Sequence, residues 1–530
     1  MLERVNLNET PLINPLALDY LNQDAFLKDF HSYSHELGNY EKLINAKSNF
    51  PVERRNLLVD ELLNQYANAG IELKENSLVK KHILDLGNEN TFTITTGHQL
   101  VLFGGPLFTT YKILSTLKLA AELNKAYTEK SIVPVFWLAS EDHDYEEIKN
   151  TYINGENLVW NTAHDAEPVG NLVLNGFENL IAELEQILPN SAQKTSHLKI
   201  IRDSYQDGFS LSKATLRYFH QVFEEWGLVI IEPSNPLFKA EMKSLMISDI
   251  IEHNSFKAQL VSDRILSEKY SLQIGAREVN FFYFTENGKR ILLKKTQKGF
   301  SLADSSQSFS TSEIVELIEK HPERFSPNVN LRPLYQETLL PNLAYIGGPA
   351  ELAYWLQLKS IFDANKLPFP AVVLRMMHLF LPPGLENRMN RFGLKAKDAI
   401  LKTNDLSAKY FDAIGESSIE NQISLILNTW QELYELSSKV NDELQASILS
   451  DKLKDKAELK ALNKEYKAKR LAKHNERLQK LMKVRAELYP AGILQERIET
   501  LMWYECLMDK SLIEELYQNL NVFEPELLMS

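Results

Sequence analysis

Four apolar runs in this chain each end in a burst of polar, chemistry-capable residues. The run at 91–95 leads into Thr96, Gly97, His98 and Gln99, and the run at 132–140 into Glu141, Asp142, His143 and Asp144. The run at 228–231 leads into Glu232, Pro233, Ser234 and Asn235, and Ala371–Leu374 into Arg375. The runs are short and rich in Val, Ile, Phe and Trp, as strands buried on both faces are. Stretches of helical character separate them, at 107–123, 210–225 and 351–364. Such alternation argues for an α/β fold with a parallel sheet and helical crossovers. Pro134 and Pro370 are expected at strand starts, where a missing N–H is tolerated. Open parallel sheets place their ligand crevice at the carboxyl ends of the strands, so polar residues piled there point to an enzyme site.

At 530 residues the chain exceeds a single hydrophobic core, and two to four domains are expected. Two stretches break the alternation and read as insertions with hairpins. One is 151–175. The other is 279–302, where Asn287-Gly288 sits between two strand-like runs. The N-terminus carries an acid and lacks the apolar core of a signal peptide. No apolar run approaches the roughly 20 residues that span a bilayer. Cys506 is the only cysteine, which excludes intramolecular disulfides and cysteine-based metal clusters. It reads as an inert thiol and suits a reducing cytoplasm. A net charge of −13 disfavours general nucleic-acid binding.

That charge is unevenly spread. From Asp451 to Arg485 there are 13 Lys/Arg against 5 Asp/Glu, inside a longer stretch, 416–489, without Gly or Pro. Apolar residues recur there in steps of three or four: Ile419, Ile423, Ile426, Trp430, Leu433, Leu436, Val440, Leu444 and Ile448. One or two long amphipathic helices in a coiled coil follow from this. Such a stripe needs a cover, either a second arm of a hairpin or another protomer, and a homodimer is expected. Lysine-rich outer faces are common on solvated coiled coils, so nucleic acid is not the expected partner.

Within the first 380 residues, Gly97, His98 and Gln99 follow a strand, while Gly104 and Gly105 precede a helix opened by Pro106. Glycines let a backbone approach a ligand, and a helix N-terminus favours an anion. His98 is an acid–base or hydrogen-bonding candidate. Lys112, on the following helix, would reach a phosphate or be solvated. Glu141, Asp142, His143 and Asp144 form the densest cluster. Their residue types suit a general base, an amine-orienting site or a divalent metal, and an acidic helix cap is the plain alternative. No resident metal is assigned. Gly347 and Gly348 precede a second Pro-led helix that carries Glu351 and Tyr354 on one face. Arg332, with Gln336 one turn on, and Arg375 are guanidinium forks for a carboxylate or phosphate, or structural salt bridges.

Taken together, TTGHQLVLFGGPLFTTYK, VPVFWLASEDHDYEEI, NLRPLYQE, AYIGGPAELAYWLQLKSIF and PAVVLR resemble the bacillithiol-biosynthesis cysteine-adding enzyme family, over essentially the whole chain. The resemblance extends to the coiled coil and to Leu494-Gln495-Glu496-Arg497. It implies a Rossmann-like core related to class I nucleotidyl-transferases, with connecting-peptide insertions near 151–205 and 255–330. The core would span 1–383 and a helical coiled-coil domain 384–530. It also implies a ligase that adds L-cysteine to glucosaminyl malate through an activated carboxylate. ATP or another nucleotide would serve as activator, with Mg²⁺ accompanying it. Gly97, Gln99, Gly105 and Lys112 would hold the nucleotide, and Arg332 or Arg375 the malyl carboxylates. Asp142, His143 or Asp144 would take the proton of the attacking ammonium. Family members often carry Gln at the position of His98. The alternatives are a class I tRNA-synthetase-like enzyme and a non-enzymatic coiled-coil scaffold.

Overall fold

The computed structural model describes the chain apart from Met1, His35, Asp304, Ser417, Ser438, Val440, Asn441 and the side chain of Leu444. Five strands form the central parallel sheet: β1 (Thr91–His98), β2 (Ser131–Leu138), β3 (Val229–Ile231), β4 (Asn342–Gly347) and β5 (Ala371–Leu374). Their order across the sheet is β5-β4-β1-β2-β3. This is the doubly wound Rossmann order. It reverses direction between β1 and β4, where a crevice opens at the strand ends. Thr91 pairs with Ser131 and His98 with Leu138, so β1 and β2 end level.

Four of these strands match the apolar runs. The fifth, β4, is not among those runs, and in the sequence only its terminal Gly347 stands out, as a turn. Its signal is the buried run Leu343-Ala344-Tyr345-Ile346 between Pro341 and Gly347. Pro134 is not at a strand start but is the fourth residue of β2. Pairing to β3 begins only at Val135, so the missing N–H falls outside that ladder.

The crossover helices are α1 (Leu107–Ala126), α2 (Leu211–Phe223), α3 (Arg332–Leu339) and α4 (Pro349–Ala364). Ser210 caps α2 by accepting the Lys213 N–H at 3.2 Å. Proline opens α4, where its absent N–H costs nothing. The first insertion contains the hairpin Asn150–Ile153 with Glu156–Val159. The second holds an antiparallel sheet in the order Ser308–Phe309, Gly299–Leu302, Arg290–Thr296, Phe281–Phe284, Phe325–Pro327. Phe284 pairs with Arg290 across the Asn287-Gly288 turn, as the dipeptide predicts.

The chain divides into two units, one of residues 2–379 with 493–528, the other mainly 380–492. Residues 493–528 were expected in the helical domain of 384–530. They belong with the sheet because Leu494, Gln495, Glu496 and Ile498 are buried there. The Glu499 carboxylate also accepts the Asn154 and Gly155 N–H groups of the first hairpin turn, at 2.9 and 2.7 Å.

The other unit contains α5 (Glu420–Ser437), α6 (Asp442–Lys473) and α7 (Asn475–Ala486). α5 and α6 form an antiparallel hairpin. Trp430 Nε1 donates to Asp455 at 2.9 Å, and Asn463, further along α6, reaches back to Glu420 at 3.2 Å. Of the two covers open to the apolar stripe, the second arm of a hairpin is the one this chain supplies. Val440 and the Leu444 side chain lie outside the described residues. Leu425, Ile426, Leu433, Leu436 and Leu453 remain exposed. No helix among the described residues is long and apolar enough to cross a membrane.

Candidate active site

All five strand ends open onto one cleft of about 810 Å³ in the sheet-containing unit. Gly97, His98 and Gln99 line it from β1, Ser140 to His143 from β2, and Pro233 from beyond β3. Gly348 and Glu351 line it after β4, and Arg375 after β5. Lys112, Arg332 and Tyr354 line it too, so twelve of the sixteen sequence-derived candidates meet there.

Gly105, Asp144, Gln336 and Gly347 do not. Gly104 (φ +86°) and Gly105 (φ +64°) serve packing rather than ligand approach. The Tyr218 ring lies 2.7 Å from where a Cβ on Gly104 would be, and Val101 occupies that space at Gly105. The α1 N-terminus is not an open anion cradle either, since Leu107 N–H donates to the Glu499 carbonyl at 2.7 Å. Asp144 is exposed and caps the short helix Tyr145–Ile148, accepting the Glu147 N–H at 3.3 Å. It plays the plain capping role. Gly347 is buried within β4, and Gln336 is buried behind Arg332.

At the switch point Lys112 neither reaches out nor is solvated. Its Nζ sits 2.6 Å from Glu351 and 3.0 Å from the Gly97 carbonyl. Glu351 also accepts the Tyr345 hydroxyl at 2.6 Å and the Gly348 N–H at 2.8 Å. Burial alone would raise the Glu351 pKa, but Lys112 and these donors outweigh it and hold the carboxyl below its ordinary value. Lys112 and Glu351 thus clip the ends of β1 and β4 together.

Arg375 is likewise committed. Nη1 and Nη2 bind the Glu496 carboxylate at 3.0 and 2.7 Å, deep in the protein, and only the buried Nε lacks a partner among the described residues. Its fork is structural and not open to a ligand. Arg332 is different. It donates to Gln336 at 3.3 Å and meets the Tyr354 hydroxyl at 3.5 Å, with no carboxylate among the described residues in salt-bridge reach. Burial opposes its charge, yet Tyr345, Tyr354 and Glu351 outweigh that and push its pKa up. Arg277 and Arg497 line the same cleft, exposed and without a carboxylate partner among the described residues. The cleft therefore offers an anion three guanidinium groups.

Glu141 and Asp142 line the same cleft. Glu141 accepts from Lys239 at 2.6 Å and Ser326 at 2.9 Å, while its buried Oε1 has no partner among the described residues. Asp142 accepts the Gln99 amide at 2.7 Å and the His143 N–H at 2.8 Å. Gln99 also donates to Glu147 at 2.6 Å, tying the end of β1 to the loop after β2.

His98 Nδ1 lies 3.1 Å from the Gln99 carbonyl, so it carries the proton. Burial, then Lys112, pulls the His98 pKa down to about 4, and the ring is neutral at physiological pH. His143 Nδ1 lies 2.9 Å from Arg290. Burial and Arg290 lower its pKa.

Sequence reasoning did not pick out Arg290, Lys239, Phe282, Tyr335 or Arg277. Arg290 was visible only as a hairpin residue, 147 positions from His143. Lys239 lies in a five-residue helix opened by Pro236, with no motif around it.

The family description "Bacillithiol biosynthesis BshC, N-terminal Rossmann-like domain" matches residues 1–376, and its "C-terminal coiled-coil domain" matches 378–529. A Flavobacterium johnsoniae protein with the name "Putative cysteine ligase BshC" is 35% identical, covering 96% of each chain. Namesakes from Flavobacterium psychrophilum and Bacillus cereus are 34% and 27% identical. They cover 93% and 86% of this chain and 92% and 87% of their own.

Proposed function

This chain belongs to the BshC family of bacillithiol biosynthesis and is a ligase, and we propose that it joins the carboxyl of L-cysteine to the amine of glucosaminyl malate to give bacillithiol. The family match selects this reading over the tRNA-synthetase-like and scaffold alternatives.

The observation that supports the substrate assignment is the polarity of the cleft. Arg332, Arg277 and Arg497 line it without carboxylate partners among the described residues, and Glu141 and Asp142 line it as well. The acceptor substrate has the matching charges, carboxylates at its malyl end and an ammonium at its sugar. The malyl group would lie against Arg332. The ammonium would lie against Glu141 and Asp142, one of which takes its proton. A volume of about 810 Å³ is in the upper range of small-molecule sites and has room for a second substrate.

An amide does not form readily from a free carboxylate in water, so the cysteine carboxyl requires activation. The bond formed is C–N, the bond broken joins the carbonyl carbon to its activating group, and two protons leave the nitrogen, one as the ammonium becomes the attacking amine and one as the amide forms. A nucleotide triphosphate with Mg²⁺ supplies that activation in this proposal. The arginines not engaged by the acceptor, and the first turn of α4 at Ala350, fit its phosphates. Gly105 and Lys112 are not assigned to it.

We further propose that the exposed leucines of α5 and α6 pack against a second copy, and that the enzyme works in the cytoplasm. Light scattering on the purified protein tests the first point, and a monomer at micromolar concentration would refute it.

The central test is mass spectrometry of protein mixed with glucosaminyl malate, cysteine and Mg²⁺, with and without ATP. Bacillithiol with AMP or ADP is expected. Product formed equally well without ATP would overturn the activation scheme, and no product from folded protein would overturn the acceptor assignment.

A further inference from the structure

Arg290 enters the cleft from the inserted antiparallel sheet, and every nitrogen of its guanidinium has a partner. Nε donates to Ser326 Oγ at 3.0 Å, Nη2 to the Pro327 carbonyl at 3.1 Å, and Nη1 meets His143 Nδ1 at 2.9 Å. Its Cζ lies 3.9 Å from the centroid of the Phe282 ring, and the His143 ring packs against the same phenyl group at 5.4 Å. The arginine side chain is 8% exposed, so this geometry is held from several sides.

Guanidinium has donors only and stays protonated in proteins. His143 Nδ1 must therefore accept, and the imidazole proton must sit on Nε2. We propose that Arg290 is a positioning residue that locks His143 as a neutral imidazole with Nε2–H, making His143 a hydrogen-bond donor to a ligand oxygen instead of a proton acceptor. The identity of that oxygen rests on the ligase reading. It is the cysteine carboxyl oxygen that gains negative charge as the amine adds. The tautomer does not rest on that reading.

The charged and titratable groups facing His143 are few. Asp142 Oδ1 lies 3.7 Å from both His143 Nδ1 and Arg290 Nη1. Asp144 is next in the chain, and His164 comes from the segment after the first hairpin. Burial and Arg290, with a smaller push from His164, favour the neutral ring over the pull of Asp142 and Asp144. His98 has the opposite tautomer, with its proton on Nδ1. The cleft thus holds one imidazole with a bare Nε2 and one with Nε2–H.

The experiment is nitrogen NMR of the full chain labelled with ¹⁵N-histidine, with the His143 signals assigned by their loss in His143→Gln. The expected wild-type pattern at pH 8 is Nε2–H, with a titration midpoint below 6.5. In Arg290→Gln the signals should move toward a tautomer mixture and titrate at a higher pH than in the wild type, with Arg290→Lys in between. An Nδ1–H pattern in the wild type, or a wild-type midpoint at or above 6.5, would overturn the lock. Turnover separates the donor role from the lock. Gln at position 143 still presents an N–H, so His143→Gln should retain at least a tenth of wild-type kcat, with His143→Ala about 100-fold down. Equal loss in both would overturn the donor role. Should the wild type make no product at all, the ligase reading fails, and with it the named oxygen, while the NMR result still decides the lock.

Discussion

Arg375 and Glu496, 121 residues apart, face each other through two parallel N–H to carboxylate bonds of 3.0 and 2.7 Å, with only 2% and 3% of their side chains exposed. The pair joins the end of β5 to the segment that returns after the helical unit. Removing one partner leaves an uncompensated charge in a dry place, so Glu496→Ala should cost about 3–5 kcal/mol. Chemical denaturation would show it as a lowered midpoint. A loss under about 1 kcal/mol would mean that the pair is solvated and weak.

Arg332 is the guanidinium best placed for a substrate carboxylate, because its in-protein partners are neutral oxygens. Loss of one charge-assisted hydrogen-bonding group costs about 1.5–3 kcal/mol, so Arg332→Ala should raise KM for the acidic acceptor roughly 10- to 100-fold. Gln336 does not touch the cleft but orients Arg332 at 3.3 Å and donates to buried Glu337 at 3.1 Å. Gln336→Leu should therefore raise the same KM by a smaller factor, with kcat little changed. Steady-state kinetics with the acceptor varied checks both. An unaltered KM in Arg332→Ala would remove the malyl group from this position.

For His98 a mild phenotype is expected. Its Nδ1–H bond to the Gln99 carbonyl can be reproduced by a side-chain amide, and the ring does not ionise at working pH. His98→Gln should keep kcat within about 5-fold, under ~1 kcal/mol of barrier. Its rate profile between pH 5.5 and 8 should superimpose on that of the wild type. A 100-fold drop would restore an acid–base role to His98.

Three histidines that stay neutral in the native protein make the fold acid-sensitive. Burial lowers the pKa of His98 and His220 to about 4 and of His378 to about 3, from 6.5. Below pH 6.5 the unfolded chain takes up protons at these sites and the native one does not, so stability rises with pH across the window and falls as pH drops from 6.5 towards 4. Each ring contributes up to about 1.4 kcal/mol per pH unit there. His378→Gln should flatten the slope of unfolding free energy between pH 4.5 and 6 by about that amount. Denaturant titrations at three pH values would show it, and an unchanged slope would mean that His378 is protonated in the native protein.

Buried parallel strands announce themselves by composition, which is why β1, β2, β3 and β5 were legible, and with them the strand-end position of Gly97, His98, Glu141 to His143 and Arg375. β4 was not, because its run holds Asn342 and Ala344 and bulges against β1 between those residues. Partners across the fold were illegible for a different reason. Whether Arg375 binds a ligand or Glu496, and whether Lys112 reaches outward or to Glu351, depends on distances between segments far apart in the chain. Local pattern has no access to such distances. Asp144 shows the limit at shortest range. It adjoins His143 yet caps a helix outside the cleft, since one residue of backbone turn separates lining from solvent.

The return of residues 493–528 to the sheet also bears on synthesis. Glu496 and Arg497 leave the ribosome more than a hundred residues after Arg375, once the whole helical unit has been made. At about 5–20 residues per second this delay is roughly 6–25 s. During that interval a nascent sheet has an unpaired Arg375 and lacks Arg497 at its crevice. The cleft is thus completed only as the last stretch of the polypeptide emerges, and a product aborted within the helical unit would lack both residues.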